Sequence, residues 1–303
     1  MSSVYRSHSH LFGAIGAFGQ LEPARAVVIS SPMEYTVSYG AGAQAGPQAL
    51  LDASVQVELY DETLDFIPAE YGLGTLAPLL FDRLSHTQAL ELTEHAVAEV
   101  LAHGQLPITI GGEHSLTPAC VAAVQRHRNY APLGILQFDA HGDLRDSYED
   151  SPNSHACAMR RCLDIPGVSV AGAGIRSVSP EEIADIRAGK IVSTMLYAHD
   201  LQSGRANLAK AIDALPEQVY ITVDVDCFDP AIMPSTGTPE PGGLDWYTVL
   251  DGIRYCMQHK KITGFDIVEL APVPGLHGPD FLCAKLLYRM FGMYIAFQEG
   301  IRK

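Results

Sequence analysis

The chain has 303 residues, 47% hydrophobic and 18% charged, and its 35 acidic against 20 basic side chains give a formal charge of −15. This composition excludes a disordered chain, which would be far less apolar, and a nucleic-acid binder, which needs a basic stripe to displace counterions. The acidity either serves solubility or draws in a cationic small molecule. No apolar stretch reaches the roughly 18–20 residues of a membrane-spanning helix. The Gly-rich apolar run at 11–18 lacks the basic flank of a signal peptide, so a cytoplasmic protein with no membrane partner is expected. Cys120, Cys157, Cys162, Cys227, Cys256 and Cys283 form no C-x-x-C pair and read as reduced core thiols.

In chain order, a buried strand is expected at 26–30, followed by a helix that Ser85 caps and that ends at His103 before Gly104. Strands follow at 106–110, 134–138 and 168–171. The run Ser179-Pro180-Glu181-Glu182 supplies an N-cap, a first-turn proline and a capping-box glutamate for a helix stopped by Gly189. A strand at 218–223 precedes a helix opened by Asp245, with Trp246, Val249, Leu250 and Ile253 at helical spacing, and a last strand lies at 262–268. Such alternation requires crossovers, hence an α/β fold with a mainly parallel sheet covered on both faces. With no linker and no internal repeat, residues 1–303 read as one domain.

In open parallel sheets, ligands gather beyond the carboxyl ends of the strands. Four predicted strand ends deliver acids and imidazoles there: Glu113 and His114; Asp139, His141 and Asp143; Asp224 and Asp226; and Glu269. If the chain stays extended past Phe138 and past Val223, residues 139, 141 and 143 share one side, as do 224 and 226. Four aspartates packed with two imidazoles repel one another, and two divalent cations cancel their charge. An oxygen-rich set with some nitrogen suits manganese, magnesium or iron. Cys227 beside Asp226 is a weaker ligand for such a hard centre. Each motif alone also fits a solvated loop; their joint placement points to a binuclear metal site.

The segments GGEHSL at 111–116, FDAHGD at 138–143, DVDCFDP at 224–230, GTPEPGGL at 237–244 and DIVELAP at 266–272, with GAQAGPQ at 42–48, resemble the ureohydrolase (arginase/agmatinase) superfamily. The resemblance implies a three-layer α/β/α sandwich and two manganese ions. One would be held by His114, Asp139, Asp143 and Asp224, the other by Asp139, His141, Asp224 and Asp226. It also implies assembly as a trimer or hexamer. The segments LRDSYE at 144–149, SHACAMRR at 154–161 and GAGIRS at 172–177 look most like agmatinases of bacterial or archaeal type. Asn153 to Ala156 depart from the stretch with which arginases grip an α-carboxylate, and Gly142 stands where many relatives carry Thr or Ser.

The implied chemistry is hydrolysis of agmatine to putrescine and urea. Two close ions acidify a shared water, and the resulting hydroxide attacks the guanidinium carbon. Glu269 is expected to orient the guanidinium, Asp143 to pass a proton to the departing amine, and His155 to shuttle protons or contact substrate. Guanidinobutyrate or arginine are alternative substrates, with Arg145, Arg160, Arg161 or Arg176 as a carboxylate clamp. A non-catalytic metal-binding homologue would be expected to lack a ligand or Glu269, and a two-metal phosphoesterase would need basic groups near the ions. Glu240 is expected to shape a nearby loop. His8, His10, His86, His95, His103, His127, His199, His259 and His277 are expected to be structural.

Overall fold

The computed structural model describes Tyr5 and residues 16–300; His8, His10 and most of the apolar run at 11–18 lie outside it. Strand β1 (Ala26–Ser31) leads to helix α1 (Gly46–Ser54), the short strand β2 (Leu73–Thr75) and helix α2 (His86–Ala102). Then come β3 (Leu106–Gly111), α3 (Thr117–His127), β4 (Leu133–Phe138), α4 (Ala158–Leu163), β5 (Val168–Ile175) and α5 (Pro180–Arg187). The chain continues through β6 (Ser193–Tyr197), α6 (Ala198–Gln202), α7 (Leu208–Ala214), β7 (Gln218–Asp224), α8 (Trp246–His259), β8 (Lys261–Val268) and α9 (His277–Gln298). The expected cap at Ser85 and capping box at Ser179 form, Ser85 accepting from the Gln88 N–H and Ser179 from the Glu182 N–H, and Gln88 completes a second capping box that was not expected.

All eight strands pair in parallel, in the order β2-β1-β3-β8-β7-β4-β5-β6. Strand alternation sends Val27 and Ile29 into a core with α2, α3 and α4, and Val28 into a core with α1, α8 and α9. Two apolar cores on opposite faces of one sheet make the three-layer sandwich. From β3 the chain crosses to β4, leaving two central places that β7 and β8 later fill. This switch point sets the ends of β3, β8, β7 and β4 side by side. Among the described residues, no helix is long and apolar enough to cross a membrane. All six cysteines are buried and unbridged.

Strands β2 and β6 and helices α1, α3, α4, α6, α7 and α9 lie outside the expected elements. The first has three residues and the second is a half-exposed edge. Helix α9 is buried on most of its circumference, so it has no polar face to betray a helical period.

Candidate metal centre and active site

Each of the four central strands ends in a turn that aims an acid or imidazole into a common cavity of about 250 Å³. After β3 the chain must pass Met33: a Cβ on Gly112 would lie 1.9 Å from the Met33 carbonyl oxygen, so only glycine fits. The next two residues, Glu113 and His114, are both buried. Across the gap, the Glu269 N–H donates to Gly112 O (2.8 Å) and Glu269 Oε1 accepts the His114 N–H (2.7 Å), which pins the ends of β3 and β8 together. Glu269 holds this pose at φ 67° and Asp143 its own at φ 52°. Left-handed backbone of this kind costs about 1–3 kcal/mol per residue, and it is tolerated where surrounding contacts fix a functional geometry.

The extended-chain expectation fails here in a specific way. Strand β4 stops at Phe138, the Asp139 carboxylate accepts the His141 N–H (2.6 Å), and Asp143 turns left-handed. Past β7 a 3-10 turn covers Val225–Cys227, closed by Asp224 accepting the Asp226 N–H (3.0 Å). The acids converge because Asp139 and Asp224 each close their own turn and Asp226 accepts the Ala140 N–H across to the other loop (2.9 Å), not because side chains alternate along a strand.

His114 Nδ1 lies 3.2 Å from Asp139, 3.0 Å from Asp143 and 3.3 Å from Asp224. His141 Nδ1 lies 2.9 Å from Asp226 and 3.6 Å from Asp139. Two ligand triads result, His114–Asp139–Asp224 and Asp139–His141–Asp226, with Asp139 common to both. Asp143 adjoins the first triad through His114.

The tautomer of His114 tests whether cations fit. Hydroxyls of Thr117 (2.9 Å), Tyr220 (2.9 Å) and Thr222 (2.6 Å) all donate to the buried Asp266. With its proton committed to Asp266, the Thr222 oxygen accepts from His114 Nε2 at 2.9 Å. That leaves a lone pair on Nδ1, a buried atom without a hydrogen-bond partner, facing three carboxylates. A divalent ion, or a second ring proton on Nδ1, makes that arrangement favourable. Without an ion, and although burial opposes it, Asp139, Asp143 and Asp224 hold His114 well above its ordinary range. With one, the imidazole is a ligand held by an outer hydrogen bond.

Without cations the cluster takes up protons instead. Burial, aided by Asp226 and Asp139, pushes the Asp224 carboxyl well above its ordinary range. Burial and Asp139 lift Asp143 to about 7, and burial lifts Glu269 to about 8, with Glu113 and Asp226 adding to it. Although burial opposes it, Asp226 and Asp139 raise His141 to about 12. Protons and divalent ions therefore compete for one pocket.

A profile of the arginase family matches residues 24–292. The chain belongs to the arginase family. It is accordingly a hydrolase of guanidino compounds. It is 39% identical over 277 residues to an N(1)-aminopropylagmatine ureohydrolase of Synechocystis sp., covering 89% of each chain. An agmatinase of Pyrococcus horikoshii is 34% identical, over 90% of this chain and 93% of its own. The crystal structure of the agmatine ureohydrolase of Thermoplasma volcanium superposes with a TM-score of 0.82 at 31% identity, covering 98% and 97% of the two chains.

The remaining expected residues divide clearly. His155 lines the cavity, held through both ring nitrogens by Thr36 and Ser38. Glu240 comes within 4.0 Å of His141 Nε2. Gly142 has Glu182 only 3.0 Å from where its Cβ would stand. Cys227 is buried outside both triads. Among the described residues, Arg145 is the only arginine or lysine lining the cavity, with its guanidinium 5.0 Å from the Tyr148 ring centroid. Arg160 and Arg161 face Asp146 and Asp164, and Arg176 binds carbonyls of Gly174, Asp226 and Glu240. His86 reaches Ser115 (3.0 Å) and Glu113 (3.3 Å). Glu113, Thr36, Thr222 and Asp266 were given no role by the sequence; Glu113 and Asp266 sit inside motifs already singled out.

Proposed function

We propose that this chain is an agmatinase: with two manganese ions it hydrolyses the guanidinium group of agmatine to urea and putrescine. The observation that supports it most is His114 Nδ1, buried without a hydrogen-bond partner against three carboxylates, next to a second triad that shares Asp139. In this reading His114, Asp139, Asp143 and Asp224 hold one ion, and Asp139, His141, Asp224 and Asp226 hold the other. When bound, such a pair supplies Lewis acidity and hydroxide at neutral pH. Glu269 has Oε1 occupied by the His114 N–H, which leaves Oε2 to accept from a guanidinium N–H and orient it. Asp143 carries a proton to the departing amine, and His155 moves protons between the cavity and solvent.

Agmatine is preferred over guanidines with a carboxylate tail because acidic groups dominate the cavity, and among the described residues Arg145 is the one arginine or lysine facing them. N(1)-aminopropylagmatine is a second reading, favoured by the 39% identity to a relative with that printed activity. Urea release measured in parallel on agmatine, N(1)-aminopropylagmatine, guanidinobutyrate and arginine separates these readings. The highest kcat/KM on either carboxylate compound would contradict a cationic tail. We also propose a cytoplasmic homo-oligomer, trimer or hexamer, for which light scattering should return three or six times the chain mass.

A further inference from the structure

Thr36 and Ser38, on the segment that follows β1, contact both ring nitrogens of His155. Behind them stands Glu113, 1% exposed. Its Oε2 accepts the Thr36 N–H (2.5 Å) and the Thr36 hydroxyl (2.7 Å), and its Oε1 accepts the Ser115 hydroxyl (2.6 Å). Three donors converging on one side chain use its two oxygens as acceptors. The single Thr36 hydroxyl proton is therefore committed to Glu113. Two groups reach the lone pairs left on that oxygen: the His155 backbone N–H at 3.1 Å and His155 Nδ1 at 2.9 Å. Nδ1 must then carry a proton.

At Nε2 the situation differs. Its partner is the Ser38 hydroxyl at 2.8 Å, which rotates to donate to a lone pair or to accept from an N–H. Ser38 also lines the cavity. A proton can thus join or leave the ring at Nε2 without breaking any hydrogen bond, whereas loss from Nδ1 would strand the Thr36 oxygen.

We infer that Glu113, acting through Thr36, is a positioning residue that fixes His155 as its Nδ1–H form and confines proton exchange to Nε2, with Ser38 as the hydroxyl between Nε2 and the cavity. The inference rests on the reading of His155 as a proton carrier, and its test separates the two. Thr36→Val removes the acceptor and Thr36→Ser keeps it. Ring 15N spectra are recorded on protein loaded with diamagnetic magnesium, with His155 assigned by difference from His155→Asn. The parent and Thr36→Ser should show Nδ1 protonated and Nε2 bare, and Thr36→Val should populate Nε2–H. In urea release by the manganese enzyme, Thr36→Val should lower kcat roughly 10- to 100-fold with KM little changed, and Thr36→Ser should restore it. In a His155→Asn background, Thr36→Val should have no further effect. An unchanged tautomer in Thr36→Val, or a loss that adds to that of His155→Asn, overturns the inference. A shifted tautomer with full turnover in His155→Asn would instead remove His155 from the chemistry and leave its positioning by Glu113 and Thr36 in place.

Discussion

Replacing Thr222 with Val removes one hydroxyl from the buried chain His114–Thr222–Asp266 at nearly constant volume. The three side chains are 0–1% exposed, so no water takes its place. The His114 Nε2–H loses its acceptor, at about 1–3 kcal/mol for an unpaired buried donor, and Asp266 loses one of three hydroxyl donors at a similar cost. His114 escapes the first penalty by moving its proton to Nδ1, where carboxylate oxygens wait at 3.0–3.3 Å. That escape removes the lone pair a metal needs. The variant should therefore lose only about 1–3 kcal/mol of metal-free stability, the Asp266 share, and bind manganese about 10- to 100-fold more weakly, equivalent to roughly 1.4–2.7 kcal/mol. Calorimetric titration with manganese, and the rise in Tm on adding it, read both quantities. An unchanged affinity with an unchanged rise in Tm would refute the tautomer argument.

Other consequences follow from the same geometry. Glu269→Gln should keep full metal content but lose most urea release, about 100-fold or more for a group acting on the reacting centre; metal analysis and steady-state kinetics check it. Arg145→Gln should lower KM for agmatine modestly by removing like charge, and a higher KM would point to a carboxylate substrate. Gly112→Ala, whose methyl would strike Met33 O, should displace His114 and cost both metal and several degrees of Tm. In the metal-free protein, the raised carboxyls bind protons more tightly folded than unfolded. Their stabilisation is therefore present at low pH and is lost as pH rises through about 7 for Asp143 and about 8 for Glu269. Metal-free Tm should fall over that window and manganese should flatten the slope; a metal-free Tm that rises with pH counts against the buried cluster.

Much of the sandwich was legible because buried parallel strands read as short apolar runs, and because Ser85, Ser179 and Asp245 cap their helices by local chemistry. The strand ends were legible for the same reason, since Asp139, Asp224 and Glu269 interrupt apolar runs with charge. What periodicity could not supply was the path beyond those ends. The turns after Asp139 and Asp224 depend on hydrogen bonds those carboxylates make to backbone two residues on, and Asp143 adopts a left-handed backbone that periodicity does not signal. Thr222 and Asp266 look like ordinary strand residues, and their link to His114 exists only once β7 and β8 pair with Thr222 opposite Asp266. Likewise the four arginines weighed as clamps were equivalent in sequence; the fold ties three of them to carboxylates or carbonyls and leaves Arg145 facing the cavity. His155 had no local signature and entered through resemblance.

The most direct measurement is urea release from agmatine by the purified chain, before chelation, after chelation, and after manganese is restored. The account predicts one urea and one putrescine per agmatine, turnover abolished by the chelator and recovered with two manganese ions per chain, and neither metal binding nor turnover restored in Asp226→Ala. Two ions bound with no urea from agmatine, N(1)-aminopropylagmatine or any other guanidine would contradict it.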